Sequence, residues 1–209
     1  MIYCAIIGDI VHSRQIENRQ AFQDEFKQII SNVNEKYSQY IASNFTVTLG
    51  DEFQGLLTNT HMSYKIIKDI KKRLYPINLV FGVGIGEMYT DFSKEISIGS
   101  DGPAYHYARE MVEKAKKKKP SICYKSGSIE DDLINSLIYF IEACESSRTK
   151  RQSHIVELYN NLDSQKEVAI TLDIKQPVVS KVLKNSFFHE IFVAEESIIN
   201  FLKKKYDSI

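Results

Sequence analysis

The chain has 209 residues, with 27 Lys and Arg against 27 Asp and Glu, so its formal net charge at pH 7 is zero. The whole-chain basicity that announces many nucleic-acid binders is thereby excluded, and any such surface must be local. The length suits either one domain with a large core or a medium domain beside a small one.

Residues 2–8 are continuously apolar and rich in β-formers, which predicts a central strand covered on both faces. The run is too short for a signal peptide, and no stretch is long enough to span a membrane. Cys4, Cys123 and Cys144 are odd in number and lack C-x-x-C spacing. They predict reduced thiols in a cytoplasmic protein rather than a zinc site or redox pair.

Over residues 14–36, Ile16, Phe22, Phe26, Ile29, Ile30 and Val33 recur at helical spacing, so an amphipathic helix is expected. Residues 45–50 and 52–58 predict two short strands that pivot at Gly50 and Asp51. A helix over 61–74 follows, and Pro76 stops it before a long strand over 77–88. An irregular stretch then leads through Asp101, Gly102 and Pro103 into a helix over 104–118, where His106 reads as a surface or core residue. The order β-α-β-β-α-β is that of a ferredoxin-like sheet with helices on one face. A strand over 121–125 and a helix over 129–145 complete the expected first domain, residues 1–145.

Gly82, Gly84 and Gly86 alternate along one face of the long strand, which opens it to close approach by a helix, a second subunit or a ligand. The lysines at 116–119 close a helix, where they complement its dipole or meet a phosphate.

The remaining residues, 146–209, predict a small all-α domain. Val168, Ala169, Leu172, Ile174, Val179 and Val182 carry the spacing of a helix-turn-helix, with Ser164 and Glu167 as a capping box. Asp173 takes the turn position where glycine is commoner, and Pro177 suits the first turn of the second helix. Lys175 opens that helix. Gln176, Ser180, Lys181 and Lys184 point away from the core, as residues entering a major groove do. Residues 148–186 hold seven Lys or Arg against four acids. Double-stranded DNA is the expected partner, with protein contact alone as the other use. A last helix over 188–206 has apolar Ile191, Phe192, Ile198, Ile199 and Leu202, to cover this domain or pair with a second copy in a homodimer.

Asp9 ends the first strand and Asp51 sits in the hairpin beside it. Two carboxylates at one sheet edge can hold a hard cation such as magnesium or manganese with a nucleotide's phosphates. The stretches "AIIGDIVHSR", "TLGDEFQGLL", "FGVGIGEMYT" and "IGSDGPAYHYARE" have the order and spacing of the palm-type nucleotidyl cyclase and diguanylate cyclase superfamily, which they resemble. With the trailing helices, nearly the whole chain resembles the SatD family of bacterial proteins. The resemblance implies a nucleotide site of Asp9, Ile10, Arg14, Asp51, Glu52 and Arg109, with Asp9 and Asp51 as metal ligands and the Ile10 carbonyl beside them. Two departures stand out. Leu49 and Gly50 precede the acid where diguanylate cyclases have two glycines, and Tyr105 stands four residues before Arg109 where class III cyclases have asparagine. On a helix, Arg109 serves a phosphate or pairs with Glu113 at i+4. The expected function is a DNA-binding regulator whose cyclase-like domain senses a nucleotide with a divalent metal. The alternative is an enzyme acting on a nucleoside triphosphate with an accessory helix-turn-helix.

Overall fold

The structure, a computed structural model, describes residues 1–48 and 50–207; the expectation at Leu49 lies outside them. The described residues are of α+β class, with five strands and eight α-helices. They divide into two compact units: Met1–Ser136 together with the residues from Ile198 on, and Leu137–Ser197. The division passes within α4 (Asp131–Ser146) and α8 (Phe188–Tyr206). The boundary expected near Ser146 falls at the end of α4, inside the second of these units.

The first unit is built on β1 (Tyr3–Ile10), β2 (Ile41–Val47), β3 (Glu52–Leu57), β4 (Leu79–Gly86) and β5 (Ile122–Lys125), in the order β2-β3-β1-β4-β5. All neighbours are antiparallel except β4 and β5. As the continuous apolar run requires, β1 is central, and Cys4, Ala5, Ile6 and Ile7 are buried. Its register sets Ala5 opposite Gly84, Ile7 opposite Gly82 and Asp9 opposite Glu52. Side chains alternate between faces, so Ala5, Ile7, Asp9 and Glu52 share the face of the β4 glycines.

On that face lies α3 (Pro103–Lys117). A Cβ on Gly82 would stand 2.0 Å from the Ala108 carbonyl oxygen, and one on Gly84 would stand 1.9 Å from that of Ala104. The glycines therefore serve close helix packing. The opposite face carries α1 (Arg19–Lys36), whose Phe26 meets Phe53 edge-on at 5.5 Å, and Phe53 meets Phe81 at 5.9 Å. Paired with α1 is α2 (Met62–Arg73). Helices thus cover both faces rather than one, because α3 makes the crossover from β4 to its parallel neighbour β5.

Two expected limits differ. The first helix starts at Arg19, not near 14: Ser13–Gln15 form one 3-10 turn, with His12 and Asn18 in left-handed conformations at φ 59 and φ 51. Ile16, counted toward the helical pattern, is extended. The second strand begins at Ile41 rather than 45. Both edges of the sheet are closed by asparagine amides. Asn34 bonds the N–H and C=O of Phe45 at 2.7 and 2.9 Å, and Asn135 those of Tyr124 at 2.7 and 2.8 Å. Each amide satisfies backbone groups that an edge strand would leave unpaired. Near the C-terminus, Asp207 accepts from the backbone N–H groups of Thr60 and His61 at 2.7 and 3.1 Å, neutralising the start of α2.

In the second unit, α5 (Lys150–Leu162), α6 (Gln165–Thr171) and α7 (Gln176–Asn185) enclose Ile155, Val156, Val168, Ala169, Val179 and Leu183. Leu172, Ile174 and Val182 pack against them, half-buried. The Ser164 hydroxyl accepts from the Glu167 N–H, and Pro177 stands in the first turn of α7. Asp173 is left-handed at φ 50, which its short polar side chain tolerates better than most. The Arg148 guanidinium donates to the Ser186 carbonyl at 3.0 and 3.2 Å, satisfying the end of α7. One basic residue of this segment is thereby committed to the fold.

Candidate functional site

The register that pairs Asp9 with Glu52 sets three carboxylates, Asp9, Asp51 and Glu52, at one end of the sheet. The β1–α1 turn is tied to the hairpin by the Ser13 hydroxyl, which donates to Asp51 Oδ2 at 2.5 Å, and by the Ile10 N–H, which donates to the Asp51 carbonyl at 3.1 Å. The Ile10 side chain itself is buried. Above this end runs α3, held close by the glycines, and it supplies two cations. Arg109 grips both carboxylate oxygens of Glu52, with Nη2 to Oε1 at 2.8 Å and Nη1 to Oε2. Lys116 Nζ lies 3.0 Å from Asp9 Oδ2 and 3.1 Å from Glu113 Oε1. Arg109 therefore forms its bidentate pair across the sheet rather than with Glu113 along the helix, and Glu113 bonds Lys116 instead.

Burial alone would raise the Glu52 carboxyl, but the Arg109 guanidinium, with help from Thr48 and Lys116, holds it below the ordinary glutamate range. Asp9 behaves oppositely. Burial raises it, Lys116 opposes the rise, and the like charges of Asp51 and Glu52 add to it, leaving Asp9 above its usual value. Lys116 is also raised, its own desolvation being outweighed by Asp9 and Glu113. An isolated ion pair would lower the acid and raise the base. Both rise here because burial outweighs Lys116 at Asp9, with the neighbouring acids adding to it, while two acids together outweigh the desolvation of Lys116.

Arg14 lies exposed in the 3-10 turn, and among the described residues its side chain has no hydrogen-bond or ion-pair partner. Tyr105 is 7% exposed and packs with Ala104, Ala108 and Met111 against the sheet, so its phenol is turned into the core. His106 is exposed and bonds Asp101 at 2.7 Å. Magnesium or manganese is the cation expected at Asp9 and Asp51. Among the described residues no group of three His, Cys, Asp or Glu is placed to hold a metal ion. Each carboxylate already faces a protein donor. The sequence marks Lys116 only within the lysine run at 116–119, as a dipole or phosphate partner, and Ser13 only within the stretch that carries the resemblance; their contacts with Asp9 and Asp51 were not foreseen, although Arg109, Glu113 and Lys116 follow one another at i, i+4 and i+7 on one helical face.

On α7 Pro177, Val178 and Asn185 are exposed, and so are the four residues expected to face DNA, Gln176, Ser180, Lys181 and Lys184, while Val179 and Leu183 are buried. Lys175 is the exposed residue that opens the helix. Gln176 Nε2 donates to Gln165 Oε1 at 2.6 Å and links the starts of α7 and α6. The other three extend from one helical face.

A family model described as the SatD family matches residues 3–201. No curated protein matches. Among solved structures, one similar chain comes from Bifidobacterium adolescentis and is titled a regulator of polyketide synthase expression. It is 12% identical, with a TM-score of 0.32, over 96% of this chain and 81% of that one. Among the described residues, no helix is long and apolar enough to cross a membrane.

Proposed function

Since the chain belongs to the SatD family, over a match that takes in the sheet and the terminal helices alike, we propose that both parts serve one regulator, in which α7 enters the major groove of duplex DNA and the sheet unit senses a nucleotide. In this reading the sheet is a ferredoxin-like palm, and α6 and α7 are a helix-turn-helix that acts in a homodimer. The observation that carries it is the division of α7 into a buried edge, Val179 and Leu183, and an exposed polar edge, Ser180, Lys181 and Lys184. Lysines on such an edge neutralise phosphates, while a serine or glutamine reaches base edges. Fluorescence anisotropy with a labelled duplex pool tests the reading. Saturable binding that weakens steeply with salt is expected, and binding indifferent to salt would count against it.

For the nucleotide, Arg14 is the available phosphate contact, in a turn that Ser13 ties to Asp51. A ligand at a hundredfold its Kd stabilises the folded state by about 2.7 kcal/mol. In a chain of this size that is an upward melting shift of roughly 5–10 °C. We predict such a shift with ATP or GTP and its loss in Arg14→Ala. Equal shifts in both proteins would remove Arg14 from the site. No turnover is expected, because catalysis needs a donor aimed at developing charge and the Tyr105 side chain is buried in the core. No observation favours the enzyme reading over the regulator.

A further inference from the structure

We propose that Lys116 and Arg109 are internal counter-ions that take the place of the divalent cation implied by the cyclase resemblance, so that this strand end is charge-balanced from within the chain. The Asp9 and Glu52 side chains are only 15% and 8% exposed, so both carboxylates need a cation close by to remain ionised. A metal ion would have to bring that charge from solvent and find three or more oxygens facing it. Instead α3 brings it: the glycine face of β4 lets the helix backbone approach the sheet, and two basic residues seven apart reach down to two neighbouring acids. Arg109 uses both guanidinium arms on Glu52, and Lys116 bridges Asp9 to Glu113. The Asp51 oxygen that would complete a metal site accepts from Ser13.

Lys116 is the informative position. Its side chain is 32% exposed near the end of α3, so its replacement leaves the core intact. Lys116→Gln removes the charge and keeps most of the length. Four acids, Asp9, Asp51, Glu52 and Glu113, then share one remaining cation, Arg109, and Asp9 is left without its partner. The variant should melt below wild type, and manganese should restore it.

The experiment is metal alone, with no nucleotide or DNA, so its outcome is separate from that of the regulator reading. Free manganese is followed by electron paramagnetic resonance while wild type, Lys116→Gln, Lys116→Ala and the double variant Asp9→Asn/Lys116→Gln are titrated, and melting is recorded with and without the ion. Wild type is expected to show no saturable uptake at millimolar manganese. Lys116→Gln and Lys116→Ala should gain uptake at least tenfold tighter than wild type, with a manganese-dependent rise in melting temperature that the double variant lacks. Saturable uptake by wild type would overturn the proposal. It would also fail if the lysine variants neither lose stability nor take up manganese, or if their uptake survives Asp9→Asn.

Discussion

Gly84→Ala is expected to cost roughly 3 kcal/mol or more, a fall of about 6–12 °C in melting temperature. The new methyl would stand 1.9 Å from the Ala104 carbonyl oxygen and 2.4 Å from the Ala108 nitrogen, both helix backbone atoms. A side chain turns aside cheaply, but a helix backbone moves only if α3 lifts from the sheet. Lifting α3 also draws Arg109 and Lys116 away from Glu52 and Asp9, so packing and site fail together. Restricting the unfolded chain offsets less than about 1 kcal/mol of this loss. Gly86→Ala is a graded control, because its nearest neighbour is the Pro103 Cβ at 2.9 Å. It should cost less. Chemical denaturation of the two variants measures the order, and a Gly84→Ala protein as stable as wild type would mean that α3 does not sit on the glycine face.

Arg109→Ala is expected to destabilise by about 1–2 kcal/mol at pH 7, with a deficit that shrinks as the pH falls. A pair buried on both sides costs more when broken; here the Arg109 side chain is 45% exposed, so solvent screens part of the loss. In wild type the Glu52 carboxyl lies below its ordinary value, so its contribution is present above the unfolded glutamate range and is lost as pH falls through the lower folded value. Without the guanidinium, burial raises Glu52 instead, and the folded variant carries an unfavourable charge at neutral pH. Acid relieves it. The gap between the melting temperatures of the two proteins should narrow as the pH falls from 7 into the ordinary glutamate range and below it, and a constant gap would show that Arg109 acts by packing rather than by charge.

The order of elements in the first unit was legible because its two periodicities are clean. Ile6 and Ile7 lie in an unbroken run, and Phe26, Ile30 and Val33 follow a helical one. The last helix ends where its apolar spacing does, at Tyr206. The start of α1 was misplaced because periodicity does not register backbone sign: Ile16 continues the spacing, but left-handed His12 and Asn18 break the chain around it. The third wall of the small core, Ile155 and Val156, was not singled out, since nothing local tells a core-facing residue of α5 from one facing elsewhere. Asp9 and Glu52 were visible as acids at a strand end. Their partners were not, because Lys116 and Arg109 meet them only after α3 folds across the sheet, more than fifty residues from either acid. A lysine run at a helix end reads locally as a dipole partner, and its first member is drawn off by Asp9.

The central claim is that α7 reads DNA, and its most direct test compares wild type with Lys181→Ala/Lys184→Ala on one duplex by mobility shift across a salt series. Neither lysine contributes to the core formed by Val179 and Leu183, so the fold should survive. The double variant is expected to bind about tenfold more weakly or worse, and the slope of log affinity against log salt should flatten by about one for each phosphate contact removed, Lys184 being the expected one. An unchanged shift and an unchanged slope would contradict the account.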